Sequence, residues 1–350
     1  MNEHTTSRQQ KIRRTLRIIG YLAVLALVIA VITNWDVILR IPAALNSRLV
    51  SQVYMQTEDT LTEISPGTGE GLFMTPSISP VGDEAVFHGA VIGYSRIWRY
   101  TQEDDTTVAL TDADYVAVEP SYSWDGTLIA FASDIGIDQK RTDMSAISNS
   151  LLRMGQMYMG GNPEVLNIYI MNADGSDMRQ LTSWDAVDMR PTFSPDGQHV
   201  LFMSTRESGS LKDLRLYTVS VTGDEEPQLI PNSSGANRPW YSADSEWIYY
   251  WKEIDGRGTL CRMSSDGSEW HPLADDTGGL GSHGPFIDTN GEWLWFHSVP
   301  DTYNQIFKMP IGGGDAISVT PPGFEEEHVG HVTAARNGNY TFDVLVVLEK

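Results

Sequence analysis

The chain has 350 residues, 46 acidic against 24 basic, and a formal net charge of −22. Such a field repels nucleic acid and anionic lipid headgroups, so polyanion-binding classes are excluded. With 41% apolar residues there is ample material for a core, while the single cysteine, Cys261, permits no intrachain disulfide, so the fold must rest on packing.

The N-terminus differs in kind from the rest. Arg8, Lys11, Arg13, Arg14 and Arg17 precede an uncharged apolar run from Ile18 to Ile32, followed by Thr33, Asn34 and Trp35. The run is shorter than the roughly 20 residues of a full span, but the polar and aromatic residues after it suit the far interface. The pattern predicts a basic cytoplasmic tail over 1–17, a single transmembrane helix over 18–35 acting as a signal-anchor, and a linker over 36–50. A cleaved signal peptide is the rival reading, and the lack of a small-x-small site after Ile32 speaks against it. Basic residues ahead of the span put the C-terminal remainder of the chain outside the cytoplasmic membrane.

From residue 51 to 350 one short pattern returns six times. A Pro or its stand-in opens a strand, a turn residue stands six positions on, and an aromatic eleven on: Pro76/Gly82/Phe87, Pro120/Gly126/Phe131, Pro191/Gly197/Phe202, Pro239/Ser245/Tyr250, Pro285/Gly291/Phe296 and, more loosely, His331/Asn337/Phe342. Steps of 44, 71, 48, 46 and 46 residues separate the copies, so one supersecondary unit is repeated. The apolar bursts are short and bounded by Gly, Pro, Asp or Asn, which marks strands. Turns such as Trp124-Asp125-Gly126 and Pro195-Asp196-Gly197 join the first two strands of a unit into a hairpin. Four strands per unit and six units predict an all-β, six-bladed β-propeller. Its closing blade is shared by both termini, with Val53–Gln56 and Leu61–Ile64 supplying two strands and His331–Glu349 the other two, which removes open sheet edges.

The long step places about 25 surplus residues around 135–166. There Met144, Ile147, Leu151, Met154 and Tyr158 recur at helical spacing between Asp143 and Gly160-Gly161, predicting an inserted helix that either packs on its own blade or, with a methionine-rich face, docks a partner. Antiparallel strands also bring the residues just before each innermost strand to one mouth of the channel: Glu119, Arg190, Arg238, His283, His328 and His331. Three readings are open. The arginines can satisfy carbonyls and neighbouring carboxylates while the histidines pack. Arg190 and Arg238 can instead grip a small anionic or sugar-like ligand. His283, His328 and His331 can hold a divalent metal.

The segment Ile168-Tyr169-Ile170-Met171-Asn172-Ala173-Asp174-Gly175-Ser176, with Gln180-Leu181-Thr182 and Pro191-Thr192-Phe193-Ser194-Pro195-Asp196-Gly197, resembles the TolB-type, WD40-like (PD40) propeller repeat. The resemblance runs over roughly 50–350, and it implies the fold rather than the task. His328-Val329-Gly330-His331 is faintly similar to the histidine-rich metal centre of the oligogalacturonate lyases. The expectation is a membrane-anchored, extracytoplasmic scaffold in the cell envelope, with an envelope protein or small ligand as partner. The alternative is a metal-dependent carbohydrate-active enzyme. No Gly-x-Ser-x-Gly elbow occurs, and the Gly-rich segments 278–281 and 312–314 lie between strands, where they read as turns rather than phosphate cradles.

Overall fold

The structure, a computed structural model, describes residues 48–66, 71–90, 94–137, 165–211, 213–274, 282–288, 290–298, 303–312 and 314–348. The predicted anchor over 18–35 and the predicted helix with Met144, Ile147 and Leu151 lie outside them. Among the described residues there are 24 strands and no α-helix, and no helix long and apolar enough to cross a membrane.

Four sheets are separate four-stranded blades. They are β7 (Ala117–Tyr122), β8 (Leu128–Ser133), β9 (Asn167–Asn172) and β10 (Arg179–Gln180); β11 (Asp188–Phe193), β12 (His199–Ser204), β13 (Arg215–Ser220) and β14 (Gln228–Leu229); β15 (Asn237–Tyr241), β16 (Trp247–Ile254), β17 (Arg257–Ser264) and β18 (Trp270–Ala274); and β19 (Ser282–Ile287), β20 (Trp293–Ser298), β21 (Gln305–Pro310) and β22 (Ile317–Ser318). The other eight strands form one sheet: β1 (Arg48–Gln56), β2 (Leu61–Glu63), β3 (Leu72–Ile78), β4 (Glu84–Ala90), β5 (Arg96–Thr101), β6 (Thr106–Ala109), β23 (His328–Ala334) and β24 (Tyr340–Leu348). The expectation of six separate blades is thus corrected to four. The eight-stranded sheet consists of two antiparallel sets, β23-β24-β1-β2 and β3-β4-β5-β6, joined by one parallel pair, Ser51 with Leu72. That pair fuses them because Ser51 Oγ donates to the Phe73 carbonyl and accepts from the Phe73 N–H, while the Ser51 N–H donates to Gly71 O.

The two ends of the described chain meet. β1 pairs with β24 over nine residues, from Arg48 with Leu348 to Gln56 with Tyr340, so strands about 290 positions apart are zipped and the edge is closed.

The repeat acquires a physical reason in the innermost strands, of which β3 and β7 are buried on both faces, while short outer strands such as β10, β14 and β22 are exposed. Each innermost strand breaks register once, so that two of its residues face one on its neighbour: Thr75 and Pro76, Glu119 and Pro120, Arg190 and Pro191, Arg238 and Pro239, Gly284 and Pro285, His331 and Val332. These are β-bulges. Proline fits the second bulge position because it has no N–H to leave unpaired. The single residue opposite is always the aromatic of the repeat, Phe87, Phe131, Phe202, Tyr250, Phe296 or Phe342, each at most 2% exposed. Burying such a ring stabilises by about 1.5–3 kcal/mol, so the six rings fill the space that the bulges open between blades. The register of the last copy is corrected here: Val332, not His331, holds the proline position, and the turn glycine is Gly338 at φ 87°.

Candidate functional site

The first residue of every bulge has positive φ: Thr75 49°, Glu119 57°, Arg190 54°, Arg238 51°, Gly284 60° and His331 38°. For a non-glycine residue this costs of order 1–3 kcal/mol. It also turns the backbone N–H out of its own ladder, where burial demands an acceptor. At four bulges that acceptor is a side chain of the preceding blade. Thr75 N donates to Asp343 Oδ2 (2.8 Å), Glu119 N to His88 Nδ1 (3.2 Å), Arg190 N to Glu119 Oε2 (2.8 Å) and Arg238 N to Met203 Sδ (3.1 Å).

Three of the four acceptors, His88, Met203 and Asp343, come immediately after the closing aromatic. In the second copy that position is Ala132, which has no acceptor to offer, and Glu119 from the bulge itself serves instead. Its other oxygen, Oε1, lies 2.9 Å from Arg190 Nε, with the two side chains 2% and 13% exposed. Arg190 is therefore answered by a neighbouring blade's carboxylate.

The six bulges enclose a central cavity of about 90 Å³, lined by Thr75, Glu119, Arg190, Arg238, Gly284, His331 and the residues next to each in the chain. Gly284 makes room for Arg238: a Cβ there would stand 2.9 Å from Arg238 Nη1 and 2.9 Å from His297 Cε1. His331 Nδ1 lies 2.7 Å from Asp343 Oδ2, and the same oxygen takes the Thr75 N–H, so one carboxylate spans the seam between β24 and β3.

The electrostatics derive from burial. The Asp343 carboxyl is pushed up to about 6, opposed by the Thr75 N–H, Arg238, His88 and Arg190. Burial, with Arg190 and His331 nearby, brings His88 down to about 3. Its Nδ1 accepts from Glu119 N and bonds Thr75 Oγ1, which is the neutral ring with the proton on Nε2. Burial and then Arg238 and Arg190 hold His331 well below the usual imidazole range, so its neutral ring donates Nδ1–H to Asp343. Arg190 is lowered to about 10 by burial and Arg238, and Arg238 to about 10 by burial. Both remain cations at neutral pH, and they face the carboxyl groups of Glu119 and Asp343 two against two.

The predicted site residues separate accordingly. Glu119, Arg190, Arg238 and His331 do meet at the channel, but inside β7, β11, β15 and β23, at their bulges, rather than just before these strands. His283 precedes the bulge position held by Gly284, and its backbone pairs with His297. His328 lies three residues before His331; its ring packs against Tyr303 at 5.5 Å and its Nδ1 accepts from Asn304 N (3.3 Å). Among the described residues no group of three or more His, Cys, Asp or Glu side chains is arranged to hold a metal ion. Thr75, Gly284 and Asp343 carry no motif that singles them out in the sequence; the signal that marks Asp343 with His88 and Met203 is the position after each closing aromatic.

Residues 157–313 match the family model described as the TolB beta propeller domain, PD40. Over 175 residues the chain is 25% identical to a Protein TolB homolog of Chlorobium chlorochromatii, an alignment covering 45% of this chain and 40% of that protein. The chain thus spans about 40% of the length of the curated relatives it matches first. The structure of putative TolB from Agrobacterium tumefaciens aligns with a TM-score of 0.62 at 16% identity, covering 86% of this chain and 99% of that one. TolB from Acinetobacter baumannii aligns at 0.55 and 12% identity, covering 89% and 67%. Likeness at such identities shows the fold.

Proposed function

We propose that this chain, a TolB-like propeller of the PD40 type, is a binding scaffold of the cell envelope that engages a protein partner through its outer surfaces. The observation that supports this reading is the use to which the channel puts its charge. Glu119, Arg190, His88, His331 and Asp343 answer one another and the strained N–H groups of the bulges. Chemistry so committed serves the ring, and recognition falls to the faces and rim of the disc. Tethering through residues 18–35, with the propeller on the outer side of the cytoplasmic membrane, belongs to the same proposal and rests on the basic cluster Arg8–Arg17 ahead of the apolar run. The net charge of −22 favours a partner that is not a polyanion.

Crosslinking in intact cells and then affinity purification of the full chain tests the reading. An envelope protein should be recovered in near-stoichiometric amount, and as well by Arg238→Met as by the parent chain. In spheroplasts, external protease should reach the propeller before lysis. If instead the full chain retains about one equivalent of divalent metal and His331→Ala loses it, the metal-assisted carbohydrate reading replaces the scaffold.

A further inference from the structure

A second concavity lies between the β19–β22 blade and β24, on the side of the hairpin turns, with a volume of about 510 Å³. That is within the roughly 300–1,000 Å³ of small-molecule sites, whereas the central cavity is far smaller. Its walls are aromatic: Trp293, Trp295 and Tyr340, with the Trp295 and Tyr340 ring centroids 5.3 Å apart. The walls arise from strand alternation, since Trp293 and Trp295 project from the same face of β20 and Tyr340 opens the adjacent β24.

In this groove the Trp295 indole lacks an acceptor and the Lys308 ammonium lacks a carboxylate among the described residues. Trp295 is 5% exposed and its indole N–H has no acceptor, a state that costs free energy when a donor is buried. Lys308, paired across the ladder with Trp295, holds its ammonium 4.5 Å from the Trp293 ring centroid and 5.1 Å from that of Trp295. It forms no ion pair with a described carboxylate. The formal charges of the lining are balanced, Lys308 and Arg336 against Asp288 and Glu292. Asp288 Oδ1 is already taken by the N–H groups of Glu292 and Trp293.

We infer that this groove binds a neutral sugar unit, a pyranose of a glycan chain. An anionic ligand would meet Glu292 and Asp288, and a cationic one Lys308 and Arg336. A neutral polyol meets both sets favourably, because each hydroxyl donates and accepts. The aromatic walls select a ring with an apolar C–H face over an open-chain polyol, as flat amphipathic surfaces bury well against indole and phenol. The Trp295 N–H and the Lys308 ammonium then receive ring or hydroxyl oxygens. This inference stands independently of the scaffold proposal.

The test uses the full chain and four probes: maltotriose, cellotriose and triacetylchitotriose as neutral trisaccharides, and trigalacturonate as the anionic control, read by saturation-transfer NMR and tryptophan fluorescence. At least one neutral trisaccharide should bind saturably with a Kd below about 1 mM. Trp295→Phe, which keeps the ring and deletes the N–H, should weaken it about two- to tenfold, the range of one neutral hydrogen bond. Trp293→Ala should weaken it at least about tenfold. Absence of saturable binding by all three neutral probes up to about 10 mM overturns the inference. So does binding that both variants leave unchanged, or a tighter complex with trigalacturonate than with any neutral probe. Trp295→Phe is the variant that keeps the test valid if Trp293→Ala does not fold.

Discussion

The channel and the inter-blade groove are both lined by polar and aromatic side chains, yet they stand in opposite states. In the channel, Glu119 pairs with Arg190 of the next blade, and Asp343 takes both His331 of its own hairpin and the Thr75 N–H of the next blade. In the groove, the Trp295 N–H and the Lys308 ammonium face no acceptor or carboxylate among the described residues. Density of chemical side chains is therefore a poor guide to function here. What separates a structural cluster from a binding one is whether its groups already answer one another.

If the channel holds the ring together, its perturbation should unfold the protein. The largest effect is expected from deleting residues 48–63, which removes β1 and β2 and leaves β24 without its nine-residue partner. The cooperative urea transition should disappear; a transition at the parent midpoint would refute closure through the termini. Glu119→Ala should come next, at about 3–5 kcal/mol in urea unfolding, because it leaves the Arg190 cation and its N–H buried and uncompensated. Adding Arg190→Met should recover part of that loss, and additivity of the two changes would disprove the coupling.

The pH dependence has two opposing limbs in this cluster. Asp343 has a folded pKa near 6, above its usual 3.8, so the folded protein holds that proton more tightly. Its contribution to stability is complete below about pH 3.8 and is lost as the pH rises through 6. His88, lowered from 6.5 to about 3, behaves oppositely: its contribution is complete above about pH 6.5 and is lost as the pH falls towards 3. Urea midpoints measured from pH 3 to 8 should accordingly show that Asp343→Asn abolishes a decline between about pH 4 and 6. His88→Gln should flatten the loss below pH 6.5. Identical pH profiles for parent and variants would contradict the buried network.

Smaller effects discriminate packing from backbone strain. At Gly197 (φ 68°) an added Cβ would meet nothing within 4 Å, whereas at Gly284 it would meet Arg238 and His297 at 2.9 Å. Gly197→Ala should cost about 1 kcal/mol and Gly284→Ala about 2 kcal/mol or more in the same assay; equal costs would show that Arg238 does not rely on the space at Gly284. Smallest of all, Trp295→Phe should shift stability by less than about 0.5 kcal/mol while weakening sugar binding. A large destabilisation would mean that the groove, like the channel, belongs to the fold.

The propeller architecture and the buried aromatic of each unit were legible in the sequence, because they depend on local spacing: a proline, a turn six residues on, an aromatic eleven on. The same spacing misassigned the last copy, where Val332 replaces proline and the hairpin is one residue shorter, so that a rule anchored on His331 slips by one. Strand direction alone put Glu119, Arg190, Arg238 and His331 at one mouth, just before the innermost strands, whereas the bulges hold them inside those strands. The sequence could not show that Glu119 meets Arg190 or that Asp343 meets Thr75, which are 71 and 268 positions apart. Nor could it separate His328 from His331, whose surroundings are set by different neighbours. Spacing along a strand is a covalent property and is written in one dimension. Which side chain answers a strained N–H is decided by the angle at which one blade packs on the next, and that exists only once the ring is closed.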